Sequence, residues 1–119
     1  MVTRLFIYGT LKRGHQRAEL LAGQRYLGDA CSRPLYRMYQ VDQYPGLVHD
    51  EGGVSLEGEL WEVEPECLAD LDQVERVDAG LYRRERITLE DPWQEEVVEA
   101  YFYLQPVDGL VDCGSCWER

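Results

Sequence analysis

A succession of short β-rich runs, broken by turn residues at intervals of about ten residues, constrains the fold of this chain most strongly. The runs combine Val, Ile, Tyr, Phe and Trp, which fit a half-buried pleated surface. Pro and Gly separate several runs, as in the Tyr-Pro-Gly turn at 44–46 and the Gly pair at 52–53. Strands are therefore predicted over residues 4–8, 26–30, 35–41, 47–49, 54–63, 82–90 and 97–104.

Two segments have helical character. Residues 16–21 form a short candidate, and residues 64–75 form a longer one with Pro65 in its first turn. Many short strands with one or two helices predict an α+β domain in which helices pack on a closed or nearly closed sheet. A chain of 119 residues suits one domain. Residues 1–119 are therefore predicted to form a single unit with a polar tail from about residue 105.

The net charge of −11, from 12 Lys+Arg against 23 Asp+Glu, limits the partners that the protein can bind. Such a charge repels phosphate backbones and anionic membranes, so neither nucleic acid nor membrane partners are expected. A small anionic ligand remains compatible, because local backbone donors can outweigh a distant surface charge. No run approaches the ~20 apolar residues of a membrane span, and the apolar run at the N-terminus is too short for a secretion signal. A cytoplasmic location is expected, and the oligomeric state stays open.

Four cysteines raise the question of a metal or redox site. Cys113 and Cys116 have the C-x-x-C spacing of such sites. A tetrahedral zinc site needs two more ligands, whereas Cys31 and Cys67 are distant in sequence. Reduced free thiols are therefore the main expectation, and no metal ligand is predicted.

The segment 8–14, Tyr-Gly-Thr-Leu-Lys-Arg-Gly, follows the first predicted strand. Its two glycines allow a sharp turn and a close approach of the backbone to a ligand. Successive N–H groups in such a loop can form a concave site for a carboxylate or a developing oxyanion. Glycine-rich turns after strands are common, so an ordinary turn is the alternative.

Glu75 is the one carboxylate of the 64–75 helix that is predicted to face the core. At 100° per residue, from ~3.6 residues per turn, it lies about 20° from Leu68 and between Leu68 and Leu71. Asp70 falls on the opposite side of the helix. Burial and the negative end of the helix dipole both raise the pKa of a carboxyl group, which suits a general acid/base.

A purely structural role for Glu75 remains open at this point. The helix can end before residue 75, or the carboxylate can pair with Arg76, Arg83 or Arg84. A paired carboxylate would stabilise the fold without acting on a substrate.

Six motifs in order resemble the γ-glutamylcyclotransferase-like family, also called AIG2-like and including the γ-glutamylamine cyclotransferase type. They cover most of the chain, and each is weak when taken alone. They are Ile-Tyr-Gly-Thr-Leu at 7–11 with a glycine at 14, Tyr-Pro-Gly at 44–46, Gly-Glu-Leu-Trp-Glu-Val at 58–63, Leu-Asp-Gln-Val-Glu at 71–75, Tyr-Arg-Arg at 82–84 and Ala-Tyr-Phe-Tyr at 100–103.

The resemblance implies a small mixed β-barrel flanked by one or two short helices, with a pocket at one mouth. It implies a cyclotransferase that converts a γ-glutamyl amine or γ-glutamyl amino acid to 5-oxoproline and a free amine, without a cofactor. Glu75 would be the general acid/base. The implied substrate-binding residues lie in the loop and at two aromatic positions: Tyr8, Gly9, Thr10, Leu11, Tyr82 and Tyr103.

Two other functions are compatible with the same residues. The first is a non-catalytic module of the same fold that binds a small carboxylate, although Glu75 would oppose an anion there. The second is an acidic protein-interaction domain, which only the net charge supports. Fold alone does not decide between them.

The chain departs from the family pattern at two places. Arg76 stands where family members often have glycine, and a cation beside Glu75 would lower the pKa of that carboxyl group. Helical geometry predicts that the Arg76 side chain points away. The tail at 112–117 resembles the Gly-x-Trp ending of some bacterial members only loosely, so no tail contact to substrate is predicted.

Overall fold

The computed structural model describes residues 1–117. In chain order its elements are β1 Thr3–Ile7, a 3₁₀ turn Ala18–Leu21, β2 Arg25–Cys31, β3 Tyr36–Gln40, β4 Pro45–His49, β5 Glu57–Val63, α1 Pro65–Val74, β6 Tyr82–Ile87, β7 Val98–Tyr103 and β8 Val111–Asp112. Each of the seven predicted strands overlaps one of β1 to β7. The predicted α+β class, with a short helix beside the sheet, is confirmed.

The described strands form one mixed sheet that curls into a half-barrel. Its order is β2-β5-β1-β7-β4-β3-β8, and β6 pairs with β7 outside this path. β7 runs parallel to β1 and to β4, whereas the other pairs of strands are antiparallel. A sheet of this type needs a crossover between its parallel strands, and α1 lies on the connection between β5 and β6.

The opening of the half-barrel follows from how β7 shares its edges. β6 pairs with β7 along its whole length, so β1 and β4 must share the other edge. Leu5 of β1 pairs with Glu99, and Leu47 of β4 pairs with Phe102, which lies further along β7. The chain that follows Ile7 therefore leaves the sheet where β4 takes its place. A gap opens between the two strands at that point.

Both faces of β1 are buried, in two separate clusters. Phe6 packs in the cluster inside the half-barrel, whereas Leu5 and Ile7 pack in the cluster that includes Leu71 of α1. This alternation is the period of two that a strand imposes. Leu71 is fully buried, and burial of such a side chain contributes about 2 kcal/mol. The second cluster therefore holds the end of α1 against the sheet, next to the end of β1.

The predicted helix over 16–21 is only a 3₁₀ turn at Ala18–Leu21. Gly14 and Gly23 both have positive φ, so the chain turns on either side of this segment. The N–H of Arg17 donates to the carbonyl of Thr10 at 2.7 Å, which ties the turn back to the loop after β1. The segment is too short between these turns to propagate an α-helix.

The polar tail contains more structure than its sequence indicates. β8 pairs with β3, and Trp117 is buried in the cluster inside the half-barrel. The ammonium group of Lys12 donates to the Trp117 carbonyl at 2.7 Å. A strand of two residues and a single buried aromatic produce no hydrophobic periodicity, so neither could be predicted from the sequence.

Within residues 1–117, no helix is long and apolar enough to span a membrane.

Candidate active site

Glu75 is the residue at which α1 ends. Its N–H donates to the Leu71 carbonyl at 2.9 Å, so its backbone still follows the helix even though α1 is assigned only to Val74. Arg76 then adopts φ 54, the left-handed conformation that terminates helices. The side chain of Glu75 therefore keeps its direction toward the Leu71 side of the helix, as the periodicity predicted.

Burial decides the ionisation of Glu75. It raises the pKa of the Glu75 carboxyl group to about 7, and the Arg17 guanidinium opposes part of that rise. Desolvation penalises the charged carboxylate more than the neutral acid, which is the physical cause. Near neutral pH both forms of Glu75 are populated, so it can accept and return a proton.

The alternative ion pairs of Glu75 are not formed. Arg83 pairs with Glu85 at 2.7 Å, and Arg84 pairs with Asp72 and Glu99. Within residues 1–117, no cation lies in salt-bridge distance of the Glu75 carboxylate. Arg17, a residue that the sequence analysis did not select, is the cation whose charge acts on Glu75.

The loop after β1 offers backbone donors. The N–H of Lys12 donates to the Gly9 carbonyl at 3.1 Å and closes a turn. The N–H groups of Gly9, Thr10 and Leu11 make no hydrogen bond to another residue among 1–117. Buried N–H groups normally have a partner, so three unpaired donors in succession indicate a place for an acceptor.

Close packing against β4 fixes the course of this loop. A Cβ atom at Gly9 would lie 2.7 Å from Cγ of Pro45, so only glycine fits there. At the other end of the loop, the buried carboxylate of Glu59 accepts the Arg13 N–H at 3.1 Å and the Trp61 indole N–H at 3.1 Å. Both ends of the loop are therefore held by residues from other strands.

The loop and Glu75 line one pocket at the mouth of the half-barrel, here called the loop pocket. Its empty volume is about 350 Å³, including the open mouth. The predicted residues Tyr8, Gly9, Thr10 and Leu11 meet Glu75 there. The full lining is Phe6, Ile7, Tyr8, Gly9, Thr10, Leu11, Tyr44, Pro45, Glu75 and Tyr101.

The lining also includes Tyr44, Pro45 and Tyr101, which the sequence analysis did not name as site residues. Tyr44 and Pro45 belong to the Tyr-Pro-Gly turn and Tyr101 to the last motif, so the motifs contained the signal. Which side chain of each motif faces the pocket depends on the register of β4 and β7, and this required the structure.

Tyr82 and Tyr103 lie behind the loop pocket rather than in its lining. The Tyr82 hydroxyl donates to the Pro45 carbonyl at 2.7 Å, and its ring packs 6.2 Å from the Tyr44 ring. The Tyr103 ring packs 5.3 Å from the Tyr82 ring. These two residues therefore support the wall formed by Tyr44 and Pro45.

Asp72 explains the second residue of the Leu-Asp-x-x-Glu motif. Its carboxylate accepts the Tyr101 hydroxyl at 2.7 Å and the Arg84 Nε–H at 2.9 Å. The Tyr8 hydroxyl in turn donates to the Tyr101 carbonyl at 2.6 Å. This network fixes α1 against β6 and β7 and holds the pocket wall at Tyr101.

The described residues supply no evident metal ligands. Within 1–117, no cluster of three or more His, Cys, Asp or Glu side chains can hold a metal ion. The four cysteines, Cys31, Cys67, Cys113 and Cys116, all lie within the described residues and form no disulfide there. The chemistry that the pocket supplies is one carboxyl group of raised pKa in the same pocket as a row of backbone donors without a described partner.

Comparison with known proteins agrees with this arrangement. The sequence model of the gamma-glutamyl cyclotransferase, AIG2-like family matches residues 5–119. A Vibrio cholerae relative is 35% identical over 115 residues, covering 97% of this chain and 96% of its own. The gamma-glutamylcyclotransferase family protein YtfP of Escherichia coli K12 is 34% identical over 118 residues, covering 98% and 97%.

Solved structures agree in fold. The crystal structure of a uropathogenic E. coli-specific protein superposes with a TM-score of 0.81 at 25% identity, covering 98% of this chain and 93% of that one. The family match spans both the loop after β1 and the Leu-Asp-x-x-Glu motif that ends α1. The chain belongs to the gamma-glutamyl cyclotransferase, AIG2-like family.

Proposed function

We propose that the protein is a cyclotransferase that converts a γ-glutamyl amine or γ-glutamyl amino acid to 5-oxoproline and the free amine. One observation carries this proposal. Glu75, with a pKa raised to about 7, lies in the same pocket as the unpaired N–H groups of Gly9, Thr10 and Leu11. A proton acceptor and a row of hydrogen-bond donors are the two groups that this cyclisation needs.

The reaction uses the α-amine of the substrate as its nucleophile. Glu75 takes a proton from the α-ammonium group, and the freed nitrogen attacks the γ-carbonyl carbon. The new C–N bond closes the five-membered ring, while the bond to the leaving nitrogen breaks. Glu75 then gives the proton to that nitrogen. It passes on in the same way the second proton that the ring nitrogen loses when it becomes an amide, so the amine leaves as an ammonium ion and the balance needs no water or redox partner.

Ring closure is intramolecular, so holding the γ-glutamyl chain in a folded conformation supplies much of the rate. The N–H groups of the loop would bind the α-carboxylate of the glutamyl group or the developing oxyanion. Tyr44, Pro45 and Tyr101 would press the chain into a compact shape. The hydrogen bond from Tyr101 to Asp72 keeps that wall in place.

The test is release of 5-oxoproline from a panel of γ-glutamyl amino acids and γ-glutamyl amines. Wild type and Glu75→Gln are compared, with Glu66→Gln as the control because Glu66 lies exposed in the first turn of the same helix. We expect turnover by wild type and by the control, and a loss of at least about 100-fold in Glu75→Gln.

Two results would count against the proposal. A fully active Glu75→Gln protein would remove Glu75 from the acid/base role. An absence of 5-oxoproline across the whole panel would overturn the reaction. Calorimetric binding of the same compounds without turnover would then identify a binding module.

A further inference from the structure

The loop after β1 contains the single lysine of the chain. Of the 12 Lys+Arg residues, Lys12 is the one that is not an arginine. It follows directly after the three unpaired donors of the loop, and it is only 7% exposed. Burial of an ammonium group is costly unless hydrogen-bond acceptors reach it. The acceptors of Lys12 therefore decide how this part of the loop is held.

The acceptors that the structure describes for Lys12 come from the tail of the chain. The Nζ atom donates to the Trp117 carbonyl at 2.7 Å and to the Cys116 Sγ at 3.5 Å. A hydrogen bond from a charged donor is roughly twice as strong as one between neutral groups. The ring of Trp117 is in turn buried in the cluster inside the half-barrel. The Lys12 side chain therefore ties the loop to the interior of the fold through the tail.

The tail is itself fastened to two strands. We call residues 113–117 the strap. The N–H of Cys113 donates to the Met38 carbonyl in β3 at 2.8 Å, and the N–H of Glu57 in β5 donates to the Ser115 carbonyl at 2.7 Å. In the sheet, β1, β7 and β4 lie between β5 and β3. The strap therefore joins two strands that the sheet keeps apart, which gives Lys12 a fixed partner.

The backbone of Lys12 determines the direction of one of the loop donors. Its N–H donates to the Gly9 carbonyl at 3.1 Å, and that carbonyl shares a planar peptide group with the N–H of Thr10. The next peptide group is held in the same way, because the Thr10 carbonyl accepts the N–H of Arg17 at 2.7 Å and shares its plane with the N–H of Leu11. Fixing each carbonyl therefore fixes the direction of the donor beside it.

We propose that Lys12 is a positioning residue of the active site, and that the strap holds it so that the N–H groups of Thr10 and Leu11 keep their direction toward the γ-glutamyl group. This inference rests on the proposed cyclotransferase function. Lys12 does not line the loop pocket, so it acts through the backbone of the loop and not on the substrate. Donors that are already oriented need no reorganisation in the transition state, and a displacement of about 1 Å can cost about 100-fold in rate.

The first experiment removes the ammonium group and keeps an unbranched side chain. In Lys12→Met we expect kcat/KM for 5-oxoproline release from the best panel substrate to fall by about tenfold or more. Lys12→Arg retains part of the activity, because it keeps the charge and the donors. The acidic limb of the pH profile stays in place, because Arg17 is the cation whose charge acts on Glu75.

Three outcomes of this experiment would overturn the positioning role. Unchanged kcat/KM in Lys12→Met would show that the loop needs no such contact. An acidic limb that moves in Lys12→Met would mean that Lys12 acts through the charge of Glu75. A Lys12→Arg protein as impaired as Lys12→Met would show that the charged contact is not what matters.

The second experiment loosens the same contact from the side of the strap. Trp117→Leu removes the ring that holds the strap in the half-barrel, so we expect kcat/KM to fall in this variant too. The double variant with Lys12→Met should be no worse than the more impaired single variant, because both changes act through one contact. Losses that multiply in the double variant would overturn the coupling between Lys12 and the strap.

Tyr36→Phe is the control for a general loss of stability. It removes the hydroxyl that accepts the N–H of Thr88 at 3.0 Å, and it lies outside both the loop and the strap. We expect its kcat/KM to stay within about twofold of wild type. A loss as large as that of Lys12→Met would mean that any weakening of the half-barrel impairs turnover, which would overturn the specific role of Lys12.

The third experiment needs neither a variant nor turnover. Because the chain has one lysine, acetylation by N-hydroxysuccinimidyl acetate can be followed at Lys12 in a single peptide by mass spectrometry. Relative to added Nα-acetyl-lysine, we expect Lys12 to react at least about tenfold more slowly in the folded protein than in guanidinium chloride. Equal rates would overturn the contact with the strap, even if every variant failed to fold.

The labelling result also separates this inference from the proposed function. A protected Lys12 in a protein that releases no 5-oxoproline from any panel compound would overturn the cyclotransferase and the positioning role, while the contact between loop and strap would stand. An active enzyme with an unprotected Lys12 would keep the cyclotransferase and overturn the positioning role alone.

Discussion

Two carboxylates near the end of α1, those of Asp72 and Glu75, lie in opposite surroundings. Asp72 lies in a hydrogen-bonded network with Arg84 and Tyr101, whereas Glu75, three residues later, is half-buried with no ion pair in the described chain. The paired carboxylate holds the helix against the sheet. The unpaired carboxylate has its pKa raised to about 7 by burial. Surroundings rather than residue type therefore separate a structural acid from a candidate catalytic one.

Removing the structural carboxylate should cost the most stability. Asp72→Ala leaves the Tyr101 hydroxyl and the Arg84 guanidinium without their acceptor, so we expect the free energy of unfolding to fall by about 2–3 kcal/mol. Urea denaturation measures the change. A loss below about 0.5 kcal/mol would show that the network does not fasten α1.

Removing the unpaired carboxylate of Glu75 should instead raise the free energy of unfolding above neutral pH. The folded-state pKa of Glu75 is raised from 4.5 to about 7, so the folded protein binds this proton more tightly than the unfolded chain. The contribution of Glu75 to the free energy of unfolding is therefore highest below pH 4.5, declines as pH rises toward 7, and is lowest above 7.

Glu75→Gln removes this decline. We expect the variant to be more stable than wild type by about 2 kcal/mol at pH 8 and nearly equal at pH 4. Urea denaturation at both pH values tests the sign, with Glu66→Gln as the exposed control. A destabilised Glu75→Gln protein at pH 8 would mean that the carboxylate has a stabilising partner.

Arg17 should set the pH at which the Glu75 carboxyl group titrates. Its charge opposes the rise in the Glu75 pKa. In Arg17→Gln that pKa rises further, so the acidic limb of kcat/KM moves to higher pH and turnover at pH 7 falls a few-fold. The pH profile of 5-oxoproline release measures the shift. An unmoved limb would show that Arg17 does not act on Glu75.

The smallest expected effect concerns the residue that ends α1. Arg76→Gly relieves the left-handed strain and should raise the free energy of unfolding by about 0.5–1 kcal/mol. The same change at Arg86, inside β6, should lower it, because glycine weakens a strand. If Arg76→Gly is destabilising, the φ of 54 is not a source of strain.

Local patterns predicted much of the fold and part of the site. Period and turn signals identified seven strands and the helix, and helical geometry placed Glu75 on the Leu71 side. Two parts were missed because their signals are short. β8 has two residues, and Trp117 is one buried aromatic in a polar segment.

Tyr82 and Tyr103 do not line the loop pocket, and their substrate-binding role stays a prediction. Both residues lie near the site, but they support its wall while Tyr101 and Tyr44 face the pocket. Tyr101 and Tyr103 are two residues apart in β7 and share one face of the strand, so their position along β7, rather than the face, separates the tyrosine that lines the pocket from the one that does not. A motif identifies the segment, and the register of the sheet selects the side chain.

The sequence by itself determined seven strands, the main helix, the acidic character of the chain and the presence of a carboxylate on the apolar side of that helix, because these follow from local composition and from the spacing of near neighbours in the chain. The tertiary structure alone decided that β1 and β4 share an edge of β7, which opens the pocket. It also brought Arg17 and Arg76 together with Glu75 in the lining of one surface recess. Such placements depend on strand order and register, which no local pattern specifies.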